Sequence, residues 1–261
     1  MKKYLSLLIV SLMLIGTLAG CTNKKMPTAL AKITERDKLI IGAKFDSRPF
    51  GYIEANQLKG FEIDLGKKIA KEMLGDENKA EFKQVLASNR ILALSAGEVD
   101  ILISTVTITD QRSKVIDFSE PYYETGLAIL KQKDSTIANI DDLNNRSVIY
   151  VLGTTGEKEI KTLAPKGNYQ GFRTYTDGYS ALKAGRAEAM VTDKSILRGI
   201  ALEDPNFTLL PQTYTKEQYG IGIKKGEMSA DLKAEINRII KKLRESGELL
   251  ELMKKWGIAD V

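Results

Sequence analysis

The residues best suited to hold a charged small molecule lie at positions 105–123, which read TVTITDQRSKVIDFSEPYY. An apolar stretch at 99–104, suited to a buried strand, leads directly into them. Thr107 and Thr109 then precede a helix start that carries Arg112 in its first turn. A helix start exposes free backbone N–H groups and partial positive charge, so it attracts anions. The planar guanidinium of Arg112 adds two parallel donors shaped for a carboxylate. Hydroxyl, amide and guanidinium at one strand end therefore describe a carboxylate receptor. The plainer alternative makes Thr109 an N-cap and Arg112 a surface charge.

A receptor of this kind needs elements that hold it in place, and the surrounding pattern supplies them. Residues 38–43 form a short apolar run suited to a strand. Phe61, Leu65, Ile69 and Met73 recur at four-residue spacing, which predicts a helix over 60–73 ended by Gly75-Asp76. Residues 80–85 read as a second strand, and Ser88 or Asn89 caps a helix that Gly97 ends. Residues 98–104 form the third strand. A second unit follows: a strand at 147–151, a helix at 155–163, a helix capped by Thr176 or Asp177, and a strand at 187–192. Alternating strands and helices predict an α/β fold with mostly parallel sheets. Residues 231–256 form a long amphipathic helical stretch interrupted at Gly247, with Ile236, Ile239, Ile240 and Leu243 on its apolar face.

The two units echo each other. ALSAG at 93–97 is followed by EVDILIST, and ALKAG at 181–185 by RAEAMVTD. On that register Thr105 and Asp193 fall at equivalent strand ends. Ligands in open α/β sheets bind beyond the carboxyl ends of strands, so two facing units would enclose a ligand between 105–112 and Asp193.

Composition narrows the class of function. The chain has no histidine, which lowers the expectation of acid–base catalysis or a zinc site. Residues 5–18 are an apolar run behind Lys2 and Lys3, too short for a membrane span of roughly 20 residues and suited to a signal peptide over 1–20. The run ends Leu18-Ala19-Gly20-Cys21, and Cys21 is the sole cysteine, so no intrachain disulfide forms. The positive balance is modest, and no basic block is interleaved with aromatics, which argues against a nucleic-acid partner.

VTITDQR at 106–112, followed by IDFSEPYY at 116–123, resembles the extracytoplasmic amino-acid-binding proteins of bacterial ABC importers, the polar-amino-acid family. KFDSRPFGY at 44–52, GFEIDL at 60–65, VTDKS at 191–195, QYGIGIKK at 218–225 and KKWG at 254–257 extend the resemblance over most of the chain. It implies a two-lobed fold of the periplasmic-binding-protein type, each lobe a mixed, mostly parallel sheet flanked by helices. The expected division is a signal peptide at 1–20, a lipidated Cys21 with a tether to 37, lobe 1 at 38–122 plus 219–261, and lobe 2 at 123–218. The chain would cross between lobes near 122–126 and 214–220, a double hinge that closes on ligand.

The resemblance also assigns residues. Arg112 would take an α-carboxylate, Asp193 an ammonium, and Thr107 a hydrogen bond to the ligand backbone, with Thr105 beside it. An alternative for Asp193 is the N-cap of the helix that follows. Thr154 and Thr155 could clamp the carboxylate from the opposite lobe, or serve as loop caps. Phe50 and Tyr52 would supply apolar walls, and Asp46 would hold their loop in an Asx-type turn. Lys44 and Arg90 match cations of members that accept aspartate or glutamate; otherwise both are surface charges. The implied function is a lipid-anchored, monomeric receptor for glutamate or aspartate that serves an ABC permease, with no cofactor, metal or catalytic residue. The alternatives are a receptor for glutamine, asparagine or another polar amino acid, and a dehydratase-like enzyme on the same scaffold.

Overall fold

The apolar run near residue 40 is β1 (Leu39–Ala43), and its burial explains its composition: both faces are covered. The computed structural model describes residues 26–259. The expected signal peptide and Cys21 lie outside them. Two five-stranded sheets carry the fold. The first runs β5 (Ala80–Gln84), β1, β6 (Ile101–Leu102), β13 (Glu217–Lys224), β7 (Ile116–Thr125). The second runs β10 (Asn168–Phe172), β9 (Ser147–Val151), β11 (Ala189–Asp193), β8 (Leu127–Gln132), β12 (Phe207–Leu209). In each, three parallel strands are followed by a fourth antiparallel to them and a fifth antiparallel to the fourth.

This matching order gives the sequence echo its physical basis. β6 and β11 are the third strands of their sheets, and the strand beside each comes from across the molecule. β7 lies in the first sheet and continues through Gly126 into β8 of the second. β12 lies in the second sheet and returns through 210–216 to β13 of the first. A side chain at Gly126 would overlap the Thr215 carbonyl, so the two crossings touch backbone to backbone. Residues 127–209 thus form a second lobe hung on two adjacent strands.

Helices cover the faces. α1 is Ala29–Arg36, α2 Phe61–Leu74, α3 Arg90–Ala96, α4 Asp110–Ser113 and α5 Thr155–Leu163. α6 is Tyr175–Lys183, α7 Lys194–Glu203, α8 Ala230–Glu245 and α9 Glu248–Lys255. The apolar stripe of α2 buries Phe61, Leu65 and Ile69, and Gly75 ends it at φ 83° with its N–H on the Lys71 carbonyl. α8 turns Ile236, Ile239, Ile240 and Leu243 inward, and Gly247 at φ 80° separates it from α9.

Four local expectations change. Residues 29–36, expected within a tether, form α1 instead: Ile33 is buried and the Thr28 hydroxyl donates to Asp231. The third strand is shorter than 98–104, because pairing with β1 and β13 covers only Ile101 and Leu102. Thr174, not Thr176 or Asp177, caps α6, its hydroxyl accepting from the Asp177 N–H. A small sheet of β2 (Asp46–Ser47), β3 (Gly51–Glu54) and β4 (Gln57–Lys59) also follows β1, where alternation is too brief to read.

Core and surface positions on these helices should respond differently to truncation. Leu65→Ala removes a side chain with 0% exposure and should cost about 2–5 kcal/mol, read as a lower urea midpoint. Leu202→Ala, at 76% exposure on α7, should move stability by no more than about 0.5 kcal/mol.

Candidate functional site

The loop after β6 is held in a backbone conformation that only strong partners sustain. Thr105 sits at φ 45°, in the left-handed region that costs of order 1–3 kcal/mol for a residue with a branched side chain. Its N–H donates to Glu62 Oε1 at 2.6 Å, and its carbonyl accepts from Arg90 Nη1 at 3.0 Å. Glu62 and Arg90 are both fully buried. The Tyr122 hydroxyl also donates to Glu62, and Arg90 also donates to the Ser104 carbonyl. Burial pushes the Glu62 carboxyl up, opposed by the Tyr122 hydrogen bond and the charge of Lys44.

The loop presents Thr107 and then Thr109, whose hydroxyl accepts the Arg112 N–H as an N-cap. The Arg112 guanidinium points away from solvent. It donates to the Thr107 carbonyl at 2.9 Å and to the Gly153 carbonyl of the opposite lobe at 3.0 Å. Burial, then the charge of Arg90, lowers it to about 10, while Asp193 and Glu217 oppose that shift. α4 is only one turn long, so Arg112 acts by its guanidinium more than by a helix dipole.

Asp193 ends β11 in the second sheet and is buried. It stands at the N-cap position of α7 but makes no side-chain capping bond. Its Oδ2 accepts the Tyr219 hydroxyl from the first lobe, and Oδ1 has no hydrogen-bond partner among the described residues. Burial and the charge of Glu217 push its carboxyl up to about 6, against the Tyr219 hydrogen bond and Lys44. A buried carboxylate with one unpartnered oxygen is a site for a cation.

Other cross-lobe contacts close the space between the sheets. Lys44 Nζ lies 3.4 Å from the Tyr175 hydroxyl and 4.4 Å from the centre of that ring. Burial, then Arg90, lowers Lys44 to about 8. Asp46 accepts the Tyr175 N–H at 2.9 Å, so its carboxylate spans the lobes rather than only bracing its own turn. The Thr155 hydroxyl reaches Glu217 at 2.8 Å. A side chain at Gly153 would strike the backbone of Ala87 and Ser88, so the lobes meet at van der Waals distance there.

Lys44, Asp46, Arg90, Thr105, Thr107, Arg112, Thr155 and Asp193 therefore gather where the two lobes meet. Three of the sequence-derived candidates lie elsewhere or beneath them. Phe50 is fully buried in an aromatic cluster with Phe61, Tyr123 and Tyr219, as a floor under the Asp193 partner. Tyr52 is buried away from these residues, edge-on to Trp256 with the Arg48 guanidinium 4.0 Å above its ring. The Thr154 hydroxyl donates to its own loop, at the Val151 carbonyl. Arg90 is neither a solvated helix residue nor a cation with idle donors at Nη1, since backbone carbonyls occupy it.

Sequence reasoning missed Glu62, Tyr175, Glu217 and Tyr219. Two of them carried a signal. Positions 217, 219, 221 and 223 share one face of a strand, so Glu217 belongs with Tyr219, Ile221 and Ile223 on the buried side. Glu62 lies three residues before Leu65 on the buried stripe of α2. Tyr175 opens α6 with no pattern that would separate it from ordinary core.

Comparison with known proteins agrees with this architecture. Residues 39–259 match the family described as bacterial extracellular solute-binding proteins, family 3. The chain is 39% identical to the ABC transporter glutamine-binding protein GlnH of Bacillus subtilis, over 98% of this chain and 97% of that protein. It is 39% identical to the glutamine-binding protein of Geobacillus stearothermophilus, over 85% of this chain and 92% of that protein. The crystal structure of a cysteine-binding protein from Campylobacter jejuni superposes with a TM-score of 0.84 at 30% identity, over 88% of this chain and 92% of that one. The chain belongs to this family of solute-binding proteins, which places it outside the cytoplasm.

The shift of Asp193 sets a pH dependence. Its folded value lies above the ordinary carboxylate value, so its contribution to stability is present at low pH and is lost as pH rises through about 6. The ionised form is the one that receives a cation. Affinity for a ligand bearing an ammonium should therefore fall below about pH 6, approaching tenfold per pH unit, in a fluorescence titration. In Asp193→Asn both the affinity step and the stability step near that pH should vanish; a step that persists would remove Asp193 from the ammonium position.

Proposed function

We propose that this member of the extracellular solute-binding family receives glutamine outside the cell membrane and delivers it to an ABC transporter. The observation that carries the reading is the opposed pair at the cleft: Arg112 on one lobe and Asp193, with a free buried oxygen, on the other. An α-amino acid presents a carboxylate and an ammonium, and leaving either buried without a partner costs about 3–5 kcal/mol. Arg112 and Asp193 meet the two groups at once, and closure of the lobes is what brings them together. Relatives named as glutamine-binding, at 39% identity over most of the chain, support the same class of ligand.

Charge balance favours glutamine over glutamate. Lys44, Arg90 and Arg112 stand among Asp46, Glu62, Asp193 and Glu217, so the site already holds more acidic side chains than basic ones. Arg90 is engaged by carbonyls, and Lys44 rests on Tyr175 with Asp46, Glu62 and Asp193 around it. A zwitterion with a neutral amide adds no net charge. A second ligand carboxylate adds one, and Arg90 Nε, buried without a hydrogen-bond partner among the described residues, is the donor left to receive it. The initial expectation of an acidic ligand rested on those two cations being available, and Arg90 already gives Nη1 to two carbonyls while Lys44 lies against Tyr175.

Titration calorimetry with the twenty common amino acids tests the reading. Glutamine should give a saturable one-site curve, with glutamate weaker by about 100-fold or more. Equal or tighter glutamate binding would overturn the selectivity argument, and silence with every amino acid would overturn the function. Arg112→Ala should weaken glutamine by about 100-fold or more.

The lipid anchor is part of the same proposal and rests on Leu18-Ala19-Gly20-Cys21. Expressed in a Gram-positive host, the protein should partition into detergent through its modified Cys21. Cys21→Ala should release it into the medium, and equal membrane retention would exclude that residue as the anchor.

A further inference from the structure

Met26 opens the described chain and lines a cavity of about 460 Å³ together with Lys32 of α1, Lys224 and Lys225 where β13 ends, and Met228 and Leu232. Both methionines are exposed. The Thr28 hydroxyl donates to Asp231 at the head of α8, so the start of the chain is pinned to this face of the first lobe. Lys225 Nζ donates to the Ser113 carbonyl at 2.6 Å, which brings the exposed Lys114 and Val115 alongside. Lys32, Lys114, Lys224 and Lys225 form no ion pair among the described residues, whereas Arg36 is held by Asp100 and Lys233 by Asp117. Glu227 is the one acid of the cavity lining that is not paired in this way.

The place of this face along the chain decides what it meets. Cys21 lies five residues before Met26, a span of at most about 17 Å at full extension. Residues 22–25 contribute Lys24 and Lys25 and no acid. A chain anchored through Cys21 therefore keeps these lysines within one or two screening lengths, each roughly 10 Å, of phospholipid headgroups. Near an anionic bilayer each lysine strengthens attachment about fivefold. We infer that this end of the first lobe, with Lys32, Lys114, Lys224 and Lys225 around Met26 and Met228, is a contact surface for anionic phospholipid headgroups. The inference rests on the Cys21 anchor proposed above and adds to it an orientation. β13 pairs Gly222 and Ile223 with Leu102 and Ile101, so Lys224 stands beside the start of β6 while Thr105 follows its end. Held by this face, the receptor turns its cleft away from the bilayer, toward arriving ligand, in a charge contact weak enough to release before it meets the transporter.

The test is co-sedimentation with vesicles, using residues 22–261, which contain the whole described fold and carry no acyl group. Vesicles are made of phosphatidylcholine alone or mixed with an equal amount of phosphatidylglycerol. The protein should pellet with the anionic vesicles in about 20 mM salt, and in about 0.5 M salt or with the neutral vesicles it should stay in solution. Two variants carry the same change in net charge at different places. Lys32→Glu with Lys224→Glu should lower binding about tenfold or more. Lys158→Glu with Lys166→Glu, both exposed on the second lobe, should leave it within about twofold. Melting temperature and calorimetric titration should show both variants folded, with unchanged ligand affinity. Failure to prefer anionic vesicles overturns the inference, and so do equal losses in the two variants, which would assign the effect to net charge alone. Salt-sensitive self-association without lipid binding would give the face to a second copy and overturn it as well. Because no acyl group is involved, a failed anchor is read separately, from membrane retention of Cys21→Ala.

Discussion

The fold is organised around charged groups that have been taken out of water. Glu62, Arg90, Lys44 and Asp193 are each at most 3% exposed, and they lie where the two sheets face each other. A buried charge needs a partner or several hydrogen bonds, or it shifts its protonation. Here the partners come from both lobes: Tyr219 for Asp193, Tyr175 for Lys44, and the strand-end carbonyls for Arg90. The elements exist to deliver these partners. β6 and β11 are the third strands of their sheets, and the loop after one and the last residue of the other lie where the lobes face each other.

Two crossings between sheets make that delivery adjustable. Each lobe has a small apolar cluster of its own, around Leu94 and Val106 in the first and Val148 and Ile160 in the second, while a larger one runs through both, from Leu39 and Phe61 to Ile149 and Met190, so separation of the lobes would also part apolar contacts. What changes with them on closure is the pairing of charges. Asp193 meets Tyr219, and Arg112 meets the Gly153 carbonyl, only across the gap. The backbone contacts at Gly153 and Gly126 are equally demanding, since a methyl group at either position would meet main-chain atoms. Closeness of approach at the cleft and at the hinge is therefore a steric requirement for the electrostatic one.

Much of this was legible in the chain. Strand and helix alternation gave the α/β class, the four-residue stripe gave α2, and the paired ALSAG and ALKAG segments marked the two strand ends that face each other. Arg112 and Asp193 were legible because residue chemistry and strand-end position agreed. The direction of Arg90 was not legible. Whether a helix arginine turns to solvent or to a strand-end carbonyl depends on where β6 stops, and β6 stops earlier than its apolar sequence suggests. The path of Tyr52 was hidden for a related reason: a short hairpin reverses the chain and carries the residue to the Trp256 side. Glu217 was concealed because an acidic residue at the head of a strand reads as a solvated end, although its face is that of Ile221 and Ile223.

The protonation behaviour of the site explains why such an arrangement persists despite its cost. Asp193 is raised to about 6 and Lys44 lowered to about 8. Between those values both groups are charged, and for both the folded state is then the less favourable environment relative to the unfolded chain. Neutralising either would stabilise the fold and remove a charge that the proposed ligand uses. On that proposal a zwitterion would change the balance: its ammonium would give Asp193 the partner that its second oxygen lacks, and its carboxylate would give Arg112 an anion. A ligand lacking either charge would leave one of these two without its partner, so the backbone shared by amino acids would be the first filter and the side chain the second.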